Sequence, residues 1–261
     1  MILQITPELY IKAAICLLRV GAIIFALPLY GETSVPLKVK LMLSIAISIC
    51  IYGTLDPQWN PRFNEEIWSL AGIVLKEVFI GLTLGFVARL FFEGTIMAAS
   101  LVGYQMGFGT ANLLVPDAQI QASSFTAMHR IIVILIFFSL NLHHIFFQAM
   151  AESFAVIPAG AAIPNVSLAH LLIEGTAAIF SIALKLAAPI LVALLFTMAA
   201  LGLIARTVPQ LNVFTMSFPI SFFVGLFIYI ATSPYLIQWL KTHFLESSKY
   251  LYLVIQGLMP T

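Results

Sequence analysis

Apolar residues run along this chain in long blocks, separated by short clusters of charge, proline and glycine. The blocks predict helices at about residues 8–29, 38–54, 67–92, 126–150, 168–204 and 212–240. At 1.5 Å per residue, about 20 residues cover the roughly 30 Å hydrocarbon core of a bilayer, so the blocks read as membrane helices. The expected fold is all-α: integral membrane helical hairpins, about six long helices, plus a re-entrant plug-like loop.

That loop is expected between the third and fourth helices. Gly94 to Phe125 is mostly apolar and almost uncharged, yet it carries Gly103, Gly107, Gly109 and Pro116 and is too broken for a clean span. Non-helical backbone at membrane depth must be buried in protein or line a cavity, because lipid offers its amides no partner. A pore-associated loop follows from this. Met106 and Phe108 are bulky and apolar, and the glycines would let the segment move aside. A static re-entrant loop that only packs the bundle fits the same residues.

A second break, RTVPQLNVF from Arg206 to Phe214, separates two long uncharged runs and predicts the turn of a helical hairpin. Pro209 stops helix continuation, and the amides of Gln210 and Asn212 can bond backbone or neighbouring subunits. A plain solvated turn would look similar.

With 61% hydrophobic and 9% charged residues and a mean hydropathy of +1.05, the chain lacks the polar surface of a soluble domain. A net charge of +1 supplies no basic patch for nucleic acid. Cys16 and Cys50 lie in apolar segments without metal or redox spacing and read as buried free thiols. No secretory signal is recognised at the N-terminus, since Lys12 and Arg19 fall inside the first apolar block, and the first helix is read as retained. Positive-inside counting puts the 30–40 loop and the Arg206 turn in the cytoplasm and the acidic 54–66 loop outside, although Lys241 and Lys249 run against it.

Several blocks contain charges: Lys12, Arg19, Lys76, Glu77, Arg89, Arg130 and Lys185, the last close to Pro189. A central charge costs about 2.5–3.5 kcal/mol on insertion, so such residues are expected to face a bundle interior, a partner or an aqueous path. Lys76 and Glu77 are adjacent, about 100° apart on a helix, and cannot simply neutralise each other, so at least one needs a partner elsewhere. Snorkelling or structural pairing accounts for Lys12 and Arg89 without a function. Catalytic and metal motifs are scarce. His143 and His144 are expected on different helix faces with no HExxH pattern, and the His170/Glu174 pair reads as a local contact. No cofactor, metal site or enzymatic activity is expected.

Four stretches resemble the FliR family of bacterial flagellar export-gate subunits, whose relatives serve virulence type III secretion. They are LRVGAIIFALPLYGETSVPLKVKL, KEVFIGLTLGF, the Gly103–Gln121 loop continuing into NLHHIFFQAMAESFAVIPAG, and RTVPQLNVFTMSFPI. The chain departs from the family at Val115-Pro116-Asp117, where Asp-Pro is common, and at Leu142, where Gly is usual. The resemblance implies a non-enzymatic subunit of the bacterial inner membrane, joined in one copy to P-type and Q-type subunits around a conduit for unfolded proteins. B-type switch and A-type export subunits are further implied partners. Residues 1–165 would be P-subunit-like, with the pore loop at about 103–121, and 166–261 a Q-subunit-like hairpin and tail. Gly103, Met106, Gly107, Phe108, Gly109, Pro116 and Asp117 would form the plug, and Arg206, Pro209, Gln210 and Asn212 the cytoplasmic turn. Arg19, Lys76, Glu77, Arg89 and Lys185 would meet other subunits. The alternative is a stand-alone small-molecule transporter or channel, with Lys76, Glu77 and Arg89 lining its path.

Overall fold

A computed structural model describes residues 7–27, 35–55, 67–108, 123–161, 166–208, 210 and 212–259. Among these residues there are seven α-helices and no strand. They are α1 (Pro7–Ala26), α2 (Leu37–Tyr52), α3 (Ile67–Gly103), α4 (Ser123–Ser139), α5 (His143–Val156), α6 (Val166–Thr207) and α7 (Val213–Gly257). A five-residue segment with π-helical bonding, Tyr104–Phe108, follows α3 directly and is kinked at Gly107, whose dihedrals (φ 95°, ψ 5°) are not helical.

Three predicted boundaries move. The third helix continues past residue 92 to Gly103, because Gly94 packs rather than breaks: a Cβ there would lie 2.7 Å from a methyl of Ile182. The predicted 126–150 helix is two helices bent by 69°. The bend lies at Leu140–Leu142, where Asn141 takes a left-handed conformation (φ 56°), which Asn tolerates better than most residues. The last helix runs on through Lys241, Glu246 and Lys249 to Gly257, since charged residues on an exposed face do not stop a helix.

Three helical stretches are long and apolar enough to cross a membrane, Trp68–Phe108, Val166–Thr207 and Thr215–Gly257, and the bent pair α4–α5 makes a fourth if counted as one span. The chain folds as two compact units. One comprises Met1–Phe91, Asn141–Gly175 and Phe244–Thr261, the other Phe92–Leu140 and Thr176–His243.

In the first unit α1 packs against α2 and α3. The α1–α3 seam is small on both sides: Gly81 and Gly85, four apart, face Ala22 and Ala26, and a Cβ on either glycine would come within 2.5 Å of an alanine Cβ. This is the close approach that small residues at four-residue spacing permit between membrane helices. Helix α2 is patterned inside out. Its buried residues are Lys40, Ser44, Ser48 and Ile51, while Leu37, Val39, Leu41, Met42, Ile45 and Ile49 are exposed. Ser44 and Ser48 satisfy their hydroxyls on the carbonyls of Lys40 and Ser44, one turn back. Cys16 is buried, but Cys50 is on the exposed face, contrary to the expectation that both thiols are buried.

The second unit has its core around Phe92, Val102, Met106, Phe137, Ala183 and Leu194. Phe92 and Phe137 meet edge to face, with centroids 5.1 Å apart.

Candidate functional site

Within the first unit, Arg19 of α1 and Glu77 of α3 are both 0% exposed. The guanidinium and carboxylate pair through two bonds, Nε to Oε2 at 2.6 Å and Nη2 to Oε1 at 3.0 Å. Bidentate geometry offsets part of the desolvation cost, and the remaining donors are also used. Arg19 Nη1 donates to the Ser153 carbonyl (2.7 Å) and Nη2 to that of Ile157 (3.2 Å). Both carbonyls belong to the C-terminal end of α5, so the cation sits where the helix dipole favours positive charge. The Phe154 ring lies 4.3 Å below the guanidinium carbon.

Gly160 completes this knot. At φ 71° it adopts a conformation that favours glycine, and a Cβ would in any case lie 2.8 Å from Ile73. Its N–H donates to Glu77 Oε1 (2.9 Å), and its carbonyl accepts from Lys76 Nζ (3.0 Å). The adjacent Lys76 and Glu77 thus hold the two polar groups of one glycine.

In the second unit, the π-helical segment places Met106 in full burial and gives Gly107 a φ of 95°. A Cβ on Gly225 of α7 would lie 2.5 Å from Met106 Cε, so Met106 covers a position that must remain bare. Phe108 meets Phe218 and Phe222 of α7 edge to face, at centroid distances of 5.9 and 5.8 Å. A separate polar pair lies nearby in the same unit. His129 Nδ1 and the Tyr229 hydroxyl are 2.9 Å apart beside a cavity of about 30 Å³ lined by Ala98, Val102, Leu186 and Pro189.

At the hairpin turn, α6 ends at Thr207 and α7 begins at Val213. Asn212 caps α7: its Oδ1 accepts from the Thr215 N–H (3.3 Å) and its carbonyl accepts from the Thr215 hydroxyl (2.9 Å). Arg206, Gln210 and Asn212 are exposed.

Residues 10–247 match the model of a family described as Bacterial export proteins, family 1. This chain belongs to that family. Among relatives, the flagellar biosynthetic protein FliR of Bacillus subtilis is 29% identical over 84% of this chain and 84% of its own length. The FliR proteins of Pectobacterium carotovorum and Aquifex aeolicus are 32% and 26% identical, covering 80% and 97% of this chain and 78% and 96% of their own lengths.

For this member of the export family 1, the structure brings together some of the residues singled out in the sequence and separates others. Gly103 closes α3, and Met106, Gly107 and Phe108 pack as described; Gly109, Pro116, Asp117 and Pro209 lie outside the described residues. Arg19 and Glu77 bond each other, and Lys76 reaches Gly160, all within the chain. Arg89 and Lys185 are exposed, on α3 and α6. The rings of His143 and His144, expected on different faces, lie only 4.4 Å apart. Sequence reasoning passed over the Gly81/Gly85 seam, although the GLTLG and AIIFA spacings carry that signal, and it passed over Gly225, which nothing local marks.

Proposed function

We infer that this chain is the structural and gating subunit of the bacterial flagellar type III protein export gate, forming part of the conduit through which unfolded flagellar proteins are secreted. It acts without enzymatic chemistry, in the inner membrane at the flagellar basal body. One copy joins several P-type and Q-type subunits and works beside the B-type switch and A-type export subunits. Residues 1–165 form its P-like part and 166–261 its Q-like hairpin. The segment from Gly103 to Gln121 closes the conduit at rest.

The observation that carries this reading is the length and exposure of the last two helices. At 42 and 45 residues, α6 and α7 are about 63 and 68 Å long, roughly twice the hydrocarbon thickness. In their most apolar stretches only 33% and 22% of residues are buried within the chain. Leu184, Val192, Leu195 and Phe196 on α6, and Phe223, Phe227 and Ile230 on α7, are all exposed. Tilt absorbs a modest excess of length, not a doubling, so much of this apolar surface calls for cover by protein. Membership of the export family and the flagellar FliR relatives indicate which assembly supplies it.

An apolar, glycine-hinged plug suits a conduit for varied unfolded chains. A hydrophobic constriction excludes ions by dewetting and offers no strong specific binding to passing substrate. The test is co-expression of the tagged chain with the P-type and Q-type subunits of the same genome, followed by native mass spectrometry. One copy of this chain with several partner copies is expected; a stable species of this chain alone would overturn the reading.

A further inference from the structure

The contact of the Tyr104–Phe108 segment with α7 straddles a weak point of that helix. Phe218 and Phe222 are four residues apart and stack on each other, with centroids 6.3 Å apart at an interplanar angle of 24°. Pro219 lies between them inside α7. It has no N–H, so the Thr215 carbonyl lacks its usual donor four residues on, and the helix is weakened against bending here, as it is again at Pro234. Phe108 meets the ring on each side of that point, at nearly equal distances and with interplanar angles of 89° and 79°. One turn further on, Met106 is seated on Gly225.

We propose that Phe108 and Met106 form an interlock that splints α7 at Pro219, so that bending α7 there releases the segment leading into the plug, and release of that segment frees α7 to bend. Bending at Pro219 alters the spacing of Phe218 and Phe222, and Phe108 then cannot keep both edge-to-face contacts. Conversely, withdrawing Phe108 removes both edge-to-face contacts that bridge the hinge from outside α7. A coupling of this kind is reciprocal by thermodynamic linkage. Its position gives it an input. Phe218 lies six residues, about 9 Å along the axis, from the Asn212 cap of the hairpin turn, so a partner bound at the turn acts directly on the short arm of α7. Local features fit the part: the backbone kinks at Gly107, whose φ of 95° would strain any other residue, and Met is the most adaptable apolar side chain.

The inference rests on the gate reading above, and its test separates the two. The full chain, co-purified with its partner subunits, is compared with Phe108→Ala and Phe222→Ala variants by hydrogen exchange at residues 213–223 and by ion conductance after reconstitution. Loss of the paired ring contacts is expected to speed exchange about tenfold and to raise conductance in both variants. Unchanged exchange in Phe108→Ala overturns the interlock, whatever the conductance does. Faster exchange with no leak, even after deletion of 107–117, leaves the interlock in place and overturns the plug. A further pair checks the seat. Gly225→Ala should displace Met106 and raise exchange, and Met106→Ala alone should raise it as well; unchanged exchange in both variants removes Met106 from the interlock.

Discussion

Arg19 and Glu77 illustrate how a charge is accommodated within a membrane-spanning chain. Each is buried, and between them they engage α1, α3, the end of α5 and the Gly160 turn. Removing one partner leaves the other unpaired in a low-dielectric site, which costs about 3–5 kcal/mol. Glu77→Gln should therefore sharply lower the yield of detergent-stable complex, read by size-exclusion fluorescence after graded heating. Replacing both residues with methionine should recover only part of the loss, because the Ile157 carbonyl and the Gly160 N–H would still lack these partners, whereas the Ser153 carbonyl keeps the Ile157 N–H. The glycines of the α1–α3 seam are equally exacting. Gly85→Val places branched carbons against Ala26 and the Ile23 carbonyl, and should destabilise by at least the 1–3 kcal/mol typical of overpacking, seen as a lower melting temperature.

At the scale of helices, the long apolar blocks, the hairpin turn and the order of segments were legible because they depend on composition and local breakers. Partners distant in sequence were not. Nothing near Arg19 points to Glu77, 58 residues away, or to Ser153, 134 away. Gly94 reads as a breaker in isolation, and only the Ile182 side chain across from it explains why the helix needs a glycine and continues. Asn141 bends the fourth block through a backbone conformation that several residue types could avoid, so periodicity alone missed it. The turn was legible in position and partly in chemistry, since Asn212 bonds backbone as an N-cap does. Asn212→Ala should cost about 1 kcal/mol of local stability, detected as faster hydrogen exchange in the first turn of α7 while the rest of that helix is unchanged.

At the scale of the molecule, hydropathy and burial part company on particular faces, and α2 shows this most clearly, with Lys40, Ser44 and Ser48 inside and Leu41, Val39 and Ile45 outside. The exposed apolar faces of α6 and α7 raise the same question at larger scale, and one substitution answers it. Phe196 is 73% exposed on α6. Phe196→Asp against lipid would cost about 3 kcal/mol of insertion and lower the amount of protein in the membrane fraction. Against partner subunits, the expected case, membrane levels hold and co-purification with the P-type and Q-type subunits falls at least tenfold.

The knot around Arg19 also sets a schedule for biogenesis. The ribosome makes α1 first, then Glu77, and reaches Gly160 only 83 residues after Glu77. At about 5–20 residues per second, roughly 4–17 s pass in which the arginine has its carboxylate but not the α5 carbonyls, and Glu77 lacks the Gly160 amide. During that interval α1 and α3 form an unfinished hairpin with a half-satisfied ion pair, held together mainly by the glycine–alanine seam. The nascent chain therefore becomes self-sufficient at α1 and α3 only once α5 has been made, and a chain cut short before residue 153 should be recognised and degraded by membrane quality control even though its first three helices are intact.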